Sequence, residues 1–277
     1  MARELTNRSL ERGLSILEAL AQRRACSLSD LNRSTGLAKS TLRRLLAPLL
    51  AHHIVRRSLG DQLYRINIAL PLIRGARTTP RTARIIEIAS PHMIELTQRV
   101  KWPSDLHLRS GNRMCVVEST RALSPFHIGR ARVDLDVSLF GAASGRAYLS
   151  ALRNDEVGAL IRSAGDHPVW GLGRLHTAAA EFIAELNAIR SAGYATRSPK
   201  YDGESKPPDR LYAMAVPIFQ ARAPTGALTL VWPRRHLRPE QFAKLYLADL
   251  AATAQRISSD LAKFDKQRTK TAPRPGA

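Results

Sequence analysis

The sequence predicts an α+β protein in two parts: an N-terminal winged helix-turn-helix, then a linker helix, then a larger C-terminal domain built around one sheet. Three observations predict it. Three helical patterns and a basic hairpin fill the first 68 residues, short strands alternate with helices after residue 100, and the 277-residue chain carries a formal net charge of +20.

The segment SLERGLSILEALAQ places Leu10, Leu14, Leu17 and Ala21 on one stripe, which predicts a first helix of about 14 residues. In the second helix Ser27 and Asp30 stand three apart, the spacing of a capping box. Gly36 ends it, because glycine enters the left-handed conformation that a tight Thr35-Gly36 turn needs. The third helix, GLAKSTLRRLLAPLL, turns Leu42, Leu45, Leu46 and Leu49 to one face and Ser40, Arg43 and Arg44 to the other. Arginine forks and short hydroxyls suit base edges and phosphates, so this face is read as a recognition helix. A solvated amphipathic helix with two surface arginines is the plainer alternative. IVRRSLGDQLYRI then reads as two strands around Leu59-Gly60-Asp61, a wing carrying Arg56, Arg57 and Arg65. Such a hairpin can also serve only to complete a small core.

Charge favours a polyanionic partner for this part. Residues 1–75 hold 13 Lys and Arg against 5 Asp and Glu, whereas residues 76–262 spread 25 against 17 over far more surface. The basic, proline-containing end, KFDKQRTKTAPRPGA, is expected to be disordered, and residues 265–277 are set apart as a tail. No apolar run approaches a membrane span and no signal-peptide pattern opens the chain, so a cytoplasmic protein with no membrane partner is expected. Cys26 and Cys115 are expected to be free thiols, and no Cys/His spacing suits a metal. The adjacent His52 and His53 are read as structural or solvent-facing.

Beyond Ile66, INIALPLIRGA leads to a helical pattern with Ile85, Ile88, Ala89, Met93, Leu96 and Val100, which Pro91 should interrupt or kink. Residues 69–84 are read as the linker helix and 85–264 as the second domain. Strands are expected at DLHLRS, RMCVVEST, LYAMAVPIF and GALTLVWP, and helices at ASGRAYLSAL, NDEVGALIRSA, TAAAEFIAELNAIRSAG and the closing PEQFAKLYLADLAATAQRISSDLAKF. A domain of this size has room for a ligand pocket.

The signature SLERGLSILEAL…LSDLNRSTGLAKSTLRRLL resembles the isocitrate lyase regulator (IclR) family of bacterial transcription factors, and the likeness runs from Ser9 to about Phe264. Within the family, VKWPSDL, FHIGRARVDL, AASG and LTLVW are similar to the branch that governs 3-(3-hydroxyphenyl)propionate degradation. The resemblance implies a winged helix-turn-helix, a C-terminal effector domain of the GAF/PAS kind, and dimers or dimers of dimers on palindromic operators. Carried over by position, Lys39, Ser40, Thr41, Arg43 and Arg44 match the recognition helix, with Lys39 meeting phosphate. Pro48 and His53 depart from the family pattern. Pro48 should kink the helix or end it early, and His53 stands in place of a turn glycine.

For the effector, the resemblance implies LFGAASGRAYL with Phe140, Ala142, Ala143, Ser144 and Gly145, together with Ala213, Thr229 and Val231; Arg197 stands where such sensors tend to have an acidic residue and is read as a second anchor for an anion. Amides at a helix start attract a carboxylate, although small residues also serve plain helix-to-sheet packing. Ala213, Thr229 and Val231 replace the more polar side chains of small-acid sensors, so an aromatic or apolar carboxylic acid is expected. GAASG is not the G-x-S-x-G nucleophile elbow, so no enzyme, catalytic residue or cofactor is expected. The whole reads as a ligand-responsive regulator of a catabolic operon. The competing view is a DNA-binding protein whose second domain only oligomerises.

Overall fold

The structure, a computed structural model, describes residues 7–67, 79–126, 128–129, 133–204 and 208–271, with side chains as far as 265. It divides into two compact units, Met1–Ile85 and Ile86–Ala277.

The first unit contains helices α1 (Arg8–Arg23), α2 (Leu28–Thr35) and α3 (Lys39–Ala51) and the hairpin β1 (Val55–Arg57) with β2 (Tyr64–Ile66). The capping box at α2 forms: Ser27 Oγ accepts the Asp30 N–H at 3.1 Å, and the Ser27 N–H donates to Asp30 Oδ2 at 3.0 Å. Gly36 ends the helix at φ 68°. The core is Ile16, Leu20, Cys26, Leu31, Leu42, Leu46 and Val55. On α1 the expected stripe holds at Leu17 and Ala21, which pack against this core, and fails at Leu10 and Leu14. Leu10 and Leu14 are 60% and 50% exposed, and Ile16, Ala19 and Leu20 point inward instead. Helix α1 carries two apolar stripes of helical spacing, and only packing against α2 and α3 decides which one is buried.

Pro48 does not end α3, which runs on to Ala51. Pro48 is exposed within the helix. The chain then turns through His53 at φ 54°, the left-handed position expected of a glycine. In the hairpin Arg56 pairs with Arg65 and Arg57 with Tyr64, and a bridge from Cys26 to Tyr64 ties it to the helices.

Helix α4 spans Pro80–Val100, while residues 69–78 of the expected linker helix lie outside the described residues. Exposed Pro91 leaves α4 unbroken, and Ile85, Ala89, Met93, Leu96 and Val100 are buried. The sheet of the second unit has six antiparallel strands in the order β5-β4-β3-β8-β7-β6. These are β3 (Ser104–Ser110), β4 (Arg113–Ser119), β5 (Asp136–Ser138), β6 (Ala195–Thr196), β7 (Leu211–Gln220) and β8 (Ala223–Pro233). The two strands not anticipated, β5 and β6, are too short to show alternation.

Helices α5 (Ala143–Ser150), α6 (Asn154–Ala164), α7 (Ala179–Ala192) and α8 (Pro239–Thr271) complete the unit. Helix α8 covers one sheet face, where Phe242 stacks on Trp232 at 3.6 Å and the Phe219 N–H donates to Ser258 Oγ at 3.0 Å. Helix α4 joins α8 through Arg99–Asp249 and Glu95–Arg256 at 2.9 and 3.0 Å. The other face belongs to α5, whose Ala143 and Ala147 pack on Ala213, Ala215, Ala227 and Val231. The expected disordered end is corrected in part: α8 continues to Thr271, since no proline follows Pro239 before Pro273, and residues 272–277 lie outside the described residues. Both cysteines are buried thiols outside any disulfide, and no described helix is long and apolar enough to cross a membrane.

Ser27→Ala removes the side-chain half of the α2 cap and should cost about 1 kcal/mol. Hydrogen exchange of the α2 amides in the full chain should show that loss locally.

Candidate functional site

At the start of α3, Lys39, Ser40, Arg43 and Arg44 are exposed on one surface, and Thr41 is half-buried. No acidic side chain lies in the first turn, so the surface is positive and lies beside the helix N-terminus. In the wing, Arg57 is exposed, its Nε–H donating to the Gln62 carbonyl at 3.1 Å and its guanidinium 5.7 Å from the centre of the Tyr64 ring. Arg56 is half-buried. Arg65 departs from the sequence reading: it is 4% exposed and held by Asp61 at 2.8 and 2.7 Å, so it closes the hairpin.

The second site is a cavity of about 70 Å³ between the start of α5 and the sheet. The sheet lines it with Asp105 and His107 from β3, Val116 from β4, Ala213 from β7 and Thr229 and Val231 from β8. Asp105 sits opposite Thr229 and Ala213 opposite Val231 in the strand register, so these side chains share one face. Ala142, Ala143 and Ser144 line it from α5, and Arg121, Arg197, Tyr201 and Asp209 from connecting segments. The first helical bond of α5 runs from the Arg146 N–H to the Ala142 carbonyl at 3.0 Å, which leaves the amides of Ala143, Ser144 and Gly145 ahead of it. Ser144 is 2% exposed, and its Oγ has no hydrogen-bond partner among the described residues.

Two residues of the expected effector set lie elsewhere. Phe140 is fully buried and meets the Phe182 ring edge-on at 5.6 Å. Gly145 does not line the cavity with its Cα side, where a Cβ would come within 2.1 Å of the Leu139 carbonyl oxygen, and only its amide belongs to the helix start. Arg197 does line the cavity, but Asp209 grips it at 2.8 and 3.1 Å, so it is not a free anchor for an anion.

The lining is mainly apolar, as expected, with Val116, Leu135 and Val137 beside Ala213 and Val231, but the sequence reading missed a polar group, Asp105, His107 and Arg121, on one side of it. Asp105 accepts from Arg121 at 2.7 Å and from Ser119 Oγ at 2.6 Å. Burial works to raise the Asp105 carboxyl, and the Arg121 charge and hydrogen bond outweigh it and lower it. Burial pushes the neighbouring His107 down to about 4, so its ring is neutral at pH 7, with Nδ1 3.3 Å from Thr229 Oγ1. The Tyr201 hydroxyl donates to Glu204 at 2.9 Å and accepts the Ser138 N–H at 3.3 Å, and burial raises its pKa. Alternation in DLHLRS could have revealed the first of these groups, since it puts Asp105 and His107 on one strand face.

Residues 9–58 match the family described as the IclR helix-turn-helix domain, and residues 78–259 match the bacterial transcriptional regulator IclR C-terminal domain. The chain belongs to the IclR family of bacterial transcriptional regulators. It is similar to the DNA-binding transcriptional repressor YiaJ of Escherichia coli, 27% identical over 260 residues that cover 92% of this chain and 88% of that protein. The transcriptional regulator KdgR of the same organism is 23% identical over 252 residues, covering 90% and 91%. Among solved structures, an IclR homolog from Microbacterium hydrocarbonoxydans complexed with 4-hydroxybenzoate shares the fold, with TM-score 0.51, 22% identity and coverage of 91% of this chain and 98% of that one.

For this IclR regulator the exposed arginines carry a direct test. Arg43→Ala should lose about 1–3 kcal/mol of operator binding and relax sequence choice, while Arg57→Ala should weaken all sequences alike and flatten the salt dependence by about one unit. Gel shift over a range of salt measures both.

His107 generates a second prediction. Its pKa is lower in the folded chain than the usual 6.5, so between pH 6.5 and about 4 the unfolded chain binds the extra proton and stability falls as pH falls. His107→Asn should flatten denaturation midpoints across that window.

Proposed function

We propose that this IclR regulator binds a carboxylic acid in the cavity at the start of α5 and thereby changes its grip on a palindromic operator of a catabolic operon. It acts in the cytoplasm as a homodimer or dimer of dimers, because two half-sites call for a two-fold partner. Lys39, Ser40, Thr41, Arg43, Arg44, Arg56 and Arg57 meet DNA. Ala142, Ala143, Ser144, Ala213, Thr229 and Val231 meet the effector.

One observation carries the effector reading: the buried Ser144 hydroxyl, left without a partner beside amides that no helical carbonyl takes. Buried polar atoms without partners are rare, and donors converging at a helix start suit an anion. The same hydroxyl weighs against an esterase-like role, since no base among the described residues lies within hydrogen-bond reach of it.

An aromatic acid of the benzoate or phenylpropionate class is supported by the resemblance to the 3-(3-hydroxyphenyl)propionate branch and by the 4-hydroxybenzoate bound to the Microbacterium relative. The cavity favours a second reading, a compact polar acid. It encloses about 70 Å³, whereas a benzene ring occupies cavities of about 150 Å³.

Thermal shift and calorimetry with matched acids and amides, from pyruvate and butyrate to benzoate and 3-phenylpropionate, test this. An acid should bind at least about tenfold more tightly than its amide, the ratio of one charge-assisted hydrogen bond. Equal affinity within every pair, or no binding by any acid, would rule out the carboxylate sensor.

A further inference from the structure

Away from the cavity, the C-terminal unit carries a surface on which aromatic and cationic side chains crowd together. The segment after β4 exposes Leu123 and Phe126, 43% and 41% accessible, and the Phe126 ring stacks on buried Trp102 at 4.2 Å. His236 meets the same indole at 4.8 Å, so the segment that joins β8 to α8 lies against it too. Trp102 also meets Phe242, which stacks on Trp232, so Phe126 stands on a rigid aromatic base. Apolar side chains fixed in water gain free energy when a partner covers them.

Cations surround this centre. The joining segment PRRHLRPEQFAK, residues 233–244, sets Arg234, Arg235, Arg238 and Lys244 against one acid, Glu240, and all four cations are exposed. Exposed Lys101 precedes Trp102, and its carbonyl accepts from Ser124 Oγ at 2.7 Å. Exposed Arg210 joins from β7, where its carbonyl accepts the Arg234 N–H at 3.0 Å. Arg121, Arg174 and Arg197 in the same unit have carboxylate partners, whereas none of these cations has one among the described residues. Arg234 is already oriented: its Nε–H donates to the Leu211 carbonyl at 3.4 Å and its guanidinium stands 5.5 Å from the centre of the Tyr212 ring.

Charge selects the occupant. A second copy brings the same net +20, and the sequence beyond Thr271 is itself basic, so neither complements this surface. Nucleic acid matches the charge but not the centre, because bases stack on a succession of open rings, and Trp102, Trp232 and Phe242 are buried. We propose that this face docks an acidic segment of another protein, with an apolar side chain covering Phe126 and Leu123 and flanking carboxylates pairing with Arg234 and Arg235. Arginine forks take carboxylates through two N–H donors, and an apolar anchor inside a polar rim is how protein interfaces are built.

Fluorescence anisotropy of the full chain tests this with a short labelled peptide in which glutamates flank a central Phe. Its controls carry Ser in place of the Phe, or Gln in place of every Glu. The Phe peptide should bind about tenfold more tightly than either control. Phe126→Ser should bring the Phe and Ser peptides within about threefold of each other, and Arg234→Gln combined with Arg235→Gln should weaken the Phe peptide about tenfold. Arg43→Ala should leave the peptide's affinity unchanged, because the recognition helix is not the site. If Phe126→Ser fails to fold, the arginine variant decides. Phe and Ser peptides that bind alike, or a loss that follows Arg43 rather than Arg234 and Arg235, overturn the inference. An oligothymidylate that binds more tightly than the peptide and is lost with Phe126→Ser would make this a nucleic-acid surface, and a change of oligomeric state on that substitution would make it a contact between copies. Either result also overturns it.

Discussion

Helix α5 packs on the sheet through small side chains, and the C-terminal unit is arranged around that contact. Gly145 lets the segment between β5 and α5 fold against the helix, where a Cβ would come within 2.1 Å of the Leu139 carbonyl oxygen, and Gly226 lets β8 lie close to β3, where a Cβ would come within 2.1 Å of the His107 carbonyl oxygen. Between helix and sheet, Ala143, Ala147, Ala213, Ala215 and Ala227 present only methyl groups. Larger residues would lift the helix and open its first turn to water. Because α5 sits low, its amide-bearing end reaches the sheet next to Thr229 and Asp105, and a cavity forms there. Plain packing and ligand binding are therefore shared among the small residues: Ala147 and Ala227 pack, Ser144 faces the cavity, and Ala143 and Ala213 do both.

The cavity wall follows from the cost of burying charge. Asp105 is 3% exposed and Arg121 reaches it from the turn after β4, while Arg197 and Asp209 close a second pair across a connecting segment. Each pair offsets its own desolvation, and removing either partner would leave a charge stranded. Tyr201 sits against Gly141, where a Cβ would lie 2.6 Å from its ring, and the guanidinium of Arg174 stands 5.2 Å from the ring centre. This anchors the loop that carries Arg197 at the cavity's side.

Local chemistry was the legible part of the sequence. The Ser27–Asp30 box, the left-handed Gly36, the leucine face of α3 and the wing hairpin are set by residues close in the chain, and each stands where local rules place it. Readings that depend on distant partners fared worse. Two stripes on α1 obey the same period, so the choice of Ile16 over Leu14 belongs to the packing of three helices. Pro48 and Pro91 looked disruptive, but both are exposed and the helices that hold them run on past them. At the cavity, Ala213, Thr229 and Val231 were legible, while Asp105, His107 and Arg121 were hidden because a strand rich in leucine suggests an apolar interior. Ser144 was legible as a member of a small-residue run, and its lack of a partner was not.

That unpartnered hydroxyl separates a ligand site from a packing site by sign. An ordinary buried serine stabilises the fold through its hydrogen bond and loses stability on truncation, whereas one that waits for a ligand costs stability until the ligand arrives. The most direct measurement is therefore the melting midpoint of Ser144→Ala, taken alone and with a saturating acid that stabilises the parent protein. The account predicts an unchanged or higher midpoint without acid and a diminished rise with it. A lower midpoint without acid, together with the full rise on adding it, would contradict the assignment of this cavity as the effector site.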